Sequence, residues 1–234
     1  MQEVVIVSGA RTPVGAFGGS LKDVTAVELG SLVIREAMKR AGLRPVVSDA
    51  MKAAAPDKLS DQGPIELETQ ADQWDSSATP VVVDEVIMGN VLMGGQGQNP
   101  GRQAMIRAGM PKETPGFTIN KVCSSGLKAI TLAAQSIMLG EADVIVAGGQ
   151  ESMSTAPMAL PKARWGHRME VTGKGEVTDL MVYDGLYEIF YGYHMGLTAE
   201  NIIQKYDIPR KEQDELSVLS HNRAREAIQS GYFK

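Results

Sequence analysis

The sequence predicts an α/β fold in which strands and helices alternate along the chain. Short runs rich in β-branched residues end in glycine-containing turns, and stretches with apolar residues at helical spacing follow them. Of the 234 residues, 43% are apolar and 22% are charged, a composition typical of a globular protein with its own core. Alternating strands and helices are typical of layered α/β domains.

The N-terminal part of the chain predicts a strand and a helix. Residues 4–8 are rich in β-branched side chains and lead into a turn with Pro13, which predicts a buried strand. Residues 25–41 predict a helix, because their apolar side chains recur on one face and Gly42 provides a C-terminal stop. The glycine-rich loop between them lacks the spacing of a dinucleotide or phosphate-binding loop, so its glycines are interpreted as turn formers.

The middle of the chain continues the alternation. Residues 81–88 give a strand signal, and a glycine-rich segment and a helix over about 102–108 follow it. A short strand is predicted at 117–120, a long helix over 127–138 and a further strand at 143–147. The pattern therefore repeats strand, loop and helix.

The composition of the sequence changes after Gln150. Residues 151–193 are rich in Met, Pro, Arg and Gly and predict a mostly irregular stretch. Two helices are predicted beyond it, at about 196–206 and 210–230. This part of the chain is interpreted as an inserted lid or loop domain.

Residues 46–80 form an acidic segment that stands apart from the alternation. The segment contains seven acidic residues and two lysines, so its net charge is 2 − 7 = −5. These residues are Asp49, Asp57, Asp61, Glu66, Glu68, Asp72 and Asp75, with Lys52 and Lys58. Its polar composition predicts a solvated segment at the protein surface. This segment is either poorly ordered or has residues 64–67 paired as an edge strand.

Charge and composition exclude several classes of protein. With 23 basic against 28 acidic residues, the chain lacks the cationic excess that a nucleic-acid binder needs. A single cysteine cannot close an intramolecular disulfide, and His167, His194 and His221 do not form a zinc-ligand pattern. The start lacks the features of a signal peptide, and no membrane span is expected, so a cytoplasmic protein without a structural metal is predicted.

Cys123 is the residue with the clearest chemical potential. It lies at a predicted strand-to-helix junction, where free helix N–H groups favour a thiolate, and the small residues at 124–126 leave room for a substrate. The alternative is a buried structural cysteine. The residues leave both interpretations open, because one sequence does not identify the general base that a nucleophile needs.

Five ordered sequence blocks resemble the thiolases. They are Val-Ser-Gly-Ala-Arg-Thr-Pro-Val-Gly at 7–15, Val-Asp-Glu-Val-Ile-Met-Gly-Asn-Val at 83–91, Gln-Asn-Pro-Gly-Arg-Gln-Ala at 98–104, Asn-Lys-Val-Cys-Ser-Ser-Gly-Leu-Lys-Ala-Ile at 120–130 and Gly-Gly-Gln-Glu-Ser-Met-Ser at 148–154. Residues 192–201 look most like the biosynthetic acetoacetyl-CoA branch. The resemblance implies the N-terminal half of a thiolase-like fold with a mixed five-stranded sheet. It divides the chain into a core half at 1–155, interrupted by an insertion at 46–80, and a partial loop domain for lid and tetramer contacts at 156–234.

The resemblance also implies a set of site residues. Cys123 would take the acyl group from an acyl-CoA as a thioester, and Ser125 would complete the loop around it. Leu186, His194 and Met195 match positions that line the pantetheine and acyl pocket, although an ordinary core role for Leu186 and Met195 and a satisfied buried histidine remain open. Coenzyme A thioesters are the expected substrates, and no metal or redox cofactor is expected. The basic residues Lys162, Arg164 and Arg168 would serve tetramer contacts, attract the anionic coenzyme or simply be solvated.

The chain departs from the family by lacking its second half. The Asn-Glu-Ala-Phe loop, the Gly-His-Pro loop and the second catalytic cysteine of a complete thiolase do not occur. We therefore expect a split thiolase, in which a second chain carries those motifs, forms a higher hetero-oligomer with this one and contacts the insertion at 46–80. The alternatives are a non-catalytic acyl-CoA-binding or scaffold subunit and an inactive truncated thiolase. A ketoacyl or hydroxymethylglutaryl synthase is a further alternative that the Cys123 block argues against.

Overall fold

A computed structural model describes residues 2–54, 63–166 and 174–232, arranged in two compact units. The first unit is Met1–Gly185 and the second is Leu186–Lys234. The units divide later than the predicted boundary at 155/156, because Pro157 and Leu180 pack against the glycines at 94 and 95 of the first unit. The predicted boundary at 155/156 comes from the family resemblance, and it stays a prediction.

The elements of the first unit alternate between helices and strands. In chain order they are α1 (Ala26–Arg40), β1 (Leu43–Pro45), α2 (Asp49–Ala53), α3 (Glu66–Ala71), β2 (Thr79–Val81), β3 (Glu85–Gly89), α4 (Pro100–Arg107), β4 (Gly116–Ile119), α5 (Ser125–Leu139), β5 (Ile145–Gly149), β6 (Met158–Ala159), β7 (Thr178–Asp179) and α6 (Leu180–Gly185). Single 3-10 turns lie at Met153–Thr155 and Ala163–Trp165. The second unit contains β8 (Tyr187–Glu188), β9 (Tyr193–His194), α7 (Met195–Tyr206) and α8 (Arg210–Gln229). The predicted helices and the strands after residue 80 are confirmed, with shifts of a few residues at their ends.

A three-stranded parallel sheet forms the centre of the first unit. Its strand order is β4-β3-β5, and Ile87 of β3 lies opposite Phe117 of β4 and Ala147 of β5. β1 and β2 form a separate parallel pair, and β6–β7 and β8–β9 are antiparallel pairs. The α/β class is confirmed, but the described residues do not form the expected single mixed sheet of five strands.

The predicted strand at residues 4–8 is wrong for this structure. The described residues 2–16 adopt no helix or strand, and the side chains of Val5, Ile6 and Val7 are 69%, 83% and 76% exposed. A β-branched run becomes a buried strand only where a neighbouring strand accepts its backbone hydrogen bonds. Among the described residues, no strand is paired with this segment.

Helix α1 begins and ends where the sequence predicts. The Thr25 hydroxyl accepts a hydrogen bond from the Glu28 N–H at 3.2 Å, and the Glu28 carboxylate accepts one from the Thr25 N–H at 2.8 Å. This reciprocal capping box satisfies two N–H groups that a helix start otherwise leaves free. Gly42, with φ of +69°, follows the C-terminal cap in the left-handed conformation that glycine adopts without strain.

The two faces of the central sheet bury different helices. Val86 and Met88 of β3 pack with α1 and α4, whereas Ile87, which points the opposite way, packs with α5. The α1 and α4 side holds the larger cluster of buried side chains, including Ile34, Met38, Met105, Ile106 and Met110. The α5 side is built on the small residues Ala129 and Ala133.

The acidic segment is more ordered than its composition predicts. The expected edge strand at 64–67 is wrong, because Glu66–Ala71 form helix α3. Glu68 is buried and accepts hydrogen bonds from the backbone N–H groups of Ile65 at 2.7 Å and Lys112 at 2.5 Å. The indole of Trp74 donates to the carbonyl oxygen of Gly109 at 2.7 Å. Asp57, Lys58 and Asp61 lie outside the described residues.

Candidate active site

Cys123 lies in the five-residue link between the end of β4 and the start of α5. Its thiol is free and exposed, so the structure excludes a buried structural cysteine. The first N–H groups of α5 face this link, and they lack carbonyl partners within the helix. Their partial positive charge favours an anion at this position.

The turn that carries Cys123 is strained and heavily hydrogen bonded. Val122 has φ of +49°, a left-handed conformation that costs a side chain with a Cβ about 1–2 kcal/mol. Its N–H donates to Oδ1 of Asn120 at 2.8 Å, and its carbonyl oxygen accepts from the Ser125 hydroxyl at 2.6 Å. The residue before the thiol is therefore held on both sides.

Ser125 supports the loop from inside the protein. Its side chain is 4% exposed, and its hydroxyl oxygen also accepts a hydrogen bond from the Lys121 N–H at 2.8 Å. The hydroxyl thus joins the two ends of the Cys123 turn. A direct contact between Ser125 and substrate stays a prediction.

Glycines at the ends of two strands allow α5 to start directly above the sheet. A Cβ atom on Gly89 of β3 would lie 2.5 Å from the backbone N of Gly126 and from the carbonyl C of Ser125. A Cβ on Gly149 of β5 would lie 3.2 Å from Cα of Gly126. The carboxyl ends of parallel strands, where α/β proteins place their ligand sites, therefore lie next to the Cys123 turn.

Glu151 is a functional candidate that the sequence analysis missed. Burial raises the pKa of its carboxyl group, although hydrogen bonds from Val91, Leu92 and Asn90 act in the opposite direction. The sequence signal for it is an acidic residue that follows the predicted strand at 143–147 and its two glycines. Asn120, at the end of β4, was missed in the same way.

The second unit holds the other predicted site residues. The backbone N–H of Met195 donates to the carbonyl oxygen of Leu186 at 2.9 Å, so the β8–β9 hairpin brings Leu186, His194 and Met195 together. His194 is exposed, and its Nδ1 accepts the Gly196 N–H at 3.1 Å as the cap of α7. Met195 is exposed and Leu186 is partly buried. A buried histidine and a core methionine are thus excluded, and contacts with substrate stay predictions.

Two further candidates that the structure describes, His221 and Arg164, lie at the surface. His221 is exposed on α8, and Arg164 is exposed in the 3-10 turn before Gly166. His167 and Arg168 lie outside the described residues. Within the described ranges, no group of three His, Cys, Asp or Glu side chains is arranged to hold a metal ion.

The outer side of α5 exposes large apolar side chains. Leu127 and Leu139 are 66% and 73% exposed, and Ile130 is also exposed. By length and composition the stretch Val122–Leu139 would also qualify as a membrane span, which is weak evidence because core helices of soluble proteins meet the same criterion. Its inner side packs on the sheet through Ala129 and Ala133.

The family model described as "Thiolase, N-terminal domain" matches residues 4–55 and 70–234. The chain belongs to the thiolase family. Residues 56–69, between the two matched ranges, lie inside the predicted insertion at 46–80.

Thiolase relatives match the chain along its whole length. It is 49% identical over 233 residues to an acetyl-CoA acetyltransferase of Syntrophomonas wolfei and 47% identical to one of Cupriavidus necator, covering 100% of this chain and 50% of each relative. The crystal structure of the Bacillus anthracis acetyl-CoA acetyltransferase superposes with a TM-score of 0.76 at 39% identity, over 98% of this chain and 48% of that one. The thiolase fold is therefore confirmed, and the chain spans about half the length of these relatives.

Proposed function

We propose that this chain is the nucleophile-bearing half of a thiolase that moves an acyl group between coenzyme A thioesters. In this proposal Cys123 is acylated by an acyl-CoA, and acetoacetyl-CoA is formed from two acetyl-CoA molecules or cleaved in the reverse reaction. The observation that carries it is the exposed Cys123 thiol on a strained turn at the start of α5. The thiolase family model and the acetyl-CoA acetyltransferases that match this half of their sequence support the same chemistry.

The acylation step uses the geometry of the α5 start. The Cys123 thiolate attacks the thioester carbonyl carbon, and the carbonyl oxygen takes up negative charge in the tetrahedral intermediate. Backbone N–H groups at a helix start stabilise such an oxyanion. The C–S bond to coenzyme A then breaks, coenzyme A leaves as a thiolate that takes up a proton, and an acyl-cysteine remains.

The second step needs groups outside this half. An acetyl-CoA loses an α-proton to a base, and the resulting enolate carbon attacks the acyl-cysteine carbonyl carbon, which releases the Cys123 thiolate and acetoacetyl-CoA. Among the described residues, no side chain hydrogen bonds the Cys123 thiol. We infer that a second chain with the Gly-His-Pro loop and second cysteine supplies the base, and that the two form a higher hetero-oligomer.

The exposed outer side of α5 supports a second chain. Leu127 and Ile130 lie in the first turns of α5, directly after the Cys123 link, and both are exposed. Exposed apolar side chains that lie together mark surfaces that bind other proteins. A partner that covers α5 would also bring its own loops to Cys123.

The substrate-binding part of the proposal concerns the second unit. His194 would make a polar contact with the pantetheine chain, Leu186 would line the pocket, and Met195 would limit the acyl chain to a short one. Both His194 and Met195 are exposed on the β8–β9 hairpin and the start of α7, as such contacts require. The reaction needs neither a metal nor a redox cofactor, and a free thiol fits a reducing, cytoplasmic compartment.

The interface is tested by one pair of matched substitutions. Leu127 on α5 and Leu216 on α8 are 66% and 65% exposed, so glutamate at either position meets a similar environment in this chain. With a second chain carrying the missing motifs, Leu127→Glu should reduce association at least about tenfold, because it buries a charge in an apolar interface. Leu216→Glu should not. Equal association of both variants, measured by affinity capture of tagged chains, would contradict the proposed interface.

A further inference from the structure

One carboxylate links the ends of the two strands below the Cys123 turn. Glu151 follows the end of β5, and its oxygens accept hydrogen bonds from three donors just beyond β3. These are Nδ2 of Asn90 at 2.7 Å, the N–H of Val91 at 2.8 Å and the N–H of Leu92 at 3.2 Å. The carboxylate therefore fixes the position of the chain as it leaves β3.

A second side chain continues this connection to the nucleophile turn. The carbonyl oxygen of Val91 accepts a hydrogen bond from Nδ2 of Asn120 at 3.3 Å. Oδ1 of the same amide accepts the N–H of Val122 at 2.8 Å. Hydrogen bonds thus run from Glu151 through Val91 and Asn120 to the residue directly before Cys123.

The connection ends at the one strained residue of the turn. Val122 is β-branched and holds φ of +49°, and such a conformation persists only where its surroundings fix it. The Ser125 hydroxyl fixes the carbonyl side of Val122 from within the turn. Asn120 fixes the N–H side, and it is tied to the sheet through Val91.

We propose that Glu151 and Asn120 are positioning residues that hold the left-handed turn at Val122 and so aim the Cys123 thiol at a thioester carbonyl. The hydrogen bonds of both residues go to the chain around the turn and not to the Cys123 thiol, and the inference rests on the proposed function of Cys123. The rate of acyl transfer depends on the orientation of the nucleophile, because a small misplacement of the attacking atom has a large effect on rate. Alkylation of an exposed thiol by a small reagent has no comparable orientation requirement.

Glu151→Gln is the most direct variant. Oε1 of Glu151 accepts from Asn90 and Leu92, and Oε2 accepts from Val91. Glutamine replaces one of these oxygens by an NH₂ group, so at least one of the three hydrogen bonds becomes a donor–donor contact. Asn120→Ser is the second variant, because serine keeps a local acceptor for the Val122 N–H but cannot reach Val91. Asp75→Asn is the matched control, since Asp75 also accepts a backbone N–H, from Ser77 at 2.8 Å, on an exposed loop.

The first readout is amide hydrogen exchange of the full chain, in the assembly in which it purifies. The peptide that covers residues 120–124 should exchange about tenfold faster in Glu151→Gln and Asn120→Ser than in the wild type, while the middle of α5 is unchanged. Asp75→Asn should exchange like the wild type. Unchanged exchange at 120–124 in Glu151→Gln would overturn the proposal, whatever the chemistry of Cys123.

The second readout compares two reactions of the same thiol. Acetylation of Cys123 by acetyl-CoA should fall at least about tenfold in Glu151→Gln, whereas alkylation by iodoacetamide should change by less than about twofold. Adding Val122→Gly should restore acetylation, because glycine adopts the left-handed conformation without support. Parallel losses in both reactions, or no restoration by Val122→Gly, would make the residues merely structural and overturn the proposal.

The two readouts separate this inference from the proposed function. A wild-type chain that acetyl-CoA does not acetylate contradicts the proposed function, because acetylation of Cys123 is its first step. The exchange rates of residues 120–124 in Glu151→Gln and Asn120→Ser then still decide whether Glu151 holds the turn.

Discussion

The two faces of the β4-β3-β5 sheet are covered very differently. On one face, α1 and α4 bury Ile34, Met105 and Met110 at 1% exposure or less. On the other face, α5 packs through alanines and leaves Leu127 and Leu139 largely exposed. Val86 and Ile87 are adjacent residues of β3, and their side chains pack on opposite faces of the sheet.

The difference separates the stability of this chain from its function. The α1 and α4 face contains a closed core that lies within this chain. The α5 face carries the exposed thiol, the strained Val122 and the apolar side chains that the proposed second chain would cover. We therefore expect substitutions on the first face to change the free energy of unfolding and substitutions on the second to change association and acylation.

The largest expected difference is between a core and a surface truncation. Ile34→Ala should lower the free energy of unfolding by about 2–5 kcal/mol, because it leaves a cavity between α1 and α4. Leu127→Ala should change it by about 0.5 kcal/mol or less, because the side chain is mostly in solvent. Urea unfolding of the isolated chain measures both values, and equal losses would contradict the comparison.

The next effect concerns the contact between the sheet and the start of α5. Gly89→Ala should lower the free energy of unfolding by about 1–3 kcal/mol and slow acetylation of Cys123, because its Cβ would meet backbone atoms of Ser125 and Gly126. Gly9→Ala is the control, since a Cβ there meets no atom within 4 Å. If Gly89→Ala is as stable and as reactive as Gly9→Ala, α5 does not start as closely above β3 as described.

A stabilising substitution is expected at the α1 face. Gln150 is 6% exposed, and among the described residues neither Nε2 nor Oε1 of its side chain has a hydrogen-bond partner. Gln150→Met keeps a similar volume and removes the buried polar group, so the free energy of unfolding should rise by about 1 kcal/mol. The midpoint of urea unfolding provides the measurement. A lower midpoint would indicate that the amide is satisfied in solution.

The smallest effect is a pH dependence of opposite sign at two carboxylates. Hydrogen bonds from Thr25 lower the pKa of Glu28, so its stabilisation is present above the unfolded-state pKa and is lost as the pH falls through the folded-state value. Burial raises the pKa of Glu151, so its contribution to stability is greatest at low pH and is lost as the pH rises through the folded-state value.

This pH dependence is measured by comparing each glutamine variant with the wild type in thermal unfolding at several pH values. Glu28→Gln should destabilise the chain by about 0.5 kcal/mol at neutral pH and by less in acid. For Glu151→Gln, the change in stability relative to the wild type should become more favourable as the pH rises. Parallel pH curves for the two variants would contradict the assigned pKa directions.

Local signals made much of the fold predictable. The capping box at Thr25 and the apolar spacing of α1 define that helix without any long-range contact. The position of Cys123 in a short link between a strand and a helix also follows from local patterns, whereas its exposure becomes clear only in the structure. The strand at 4–8 was predicted wrongly because its local pattern is that of a strand, whereas strand formation depends on a neighbour elsewhere in space.

Long-range contacts account for what the sequence did not predict. Glu68 and Trp74 lie in a segment whose composition is polar, yet both bond the chain around residues 109–112. Glu151 and Asn120 connect three strand ends that are far apart in sequence, and no local pattern indicates which of their donors and acceptors meet. Such pairings become visible only when the strand order is known.

The central claim is that Cys123 is the acyl nucleophile in one half of a two-chain thiolase. The most direct test isolates the chain from its source cells, measures the native mass and identifies the bound polypeptides and acetylated peptides after incubation with acetyl-CoA. The account predicts a defined complex with a second chain that carries Gly-His-Pro and a cysteine, together with an acetyl group on the Cys123 peptide that Cys123→Ser abolishes. A chain found alone, or acetylated equally in Cys123→Ser, would contradict it.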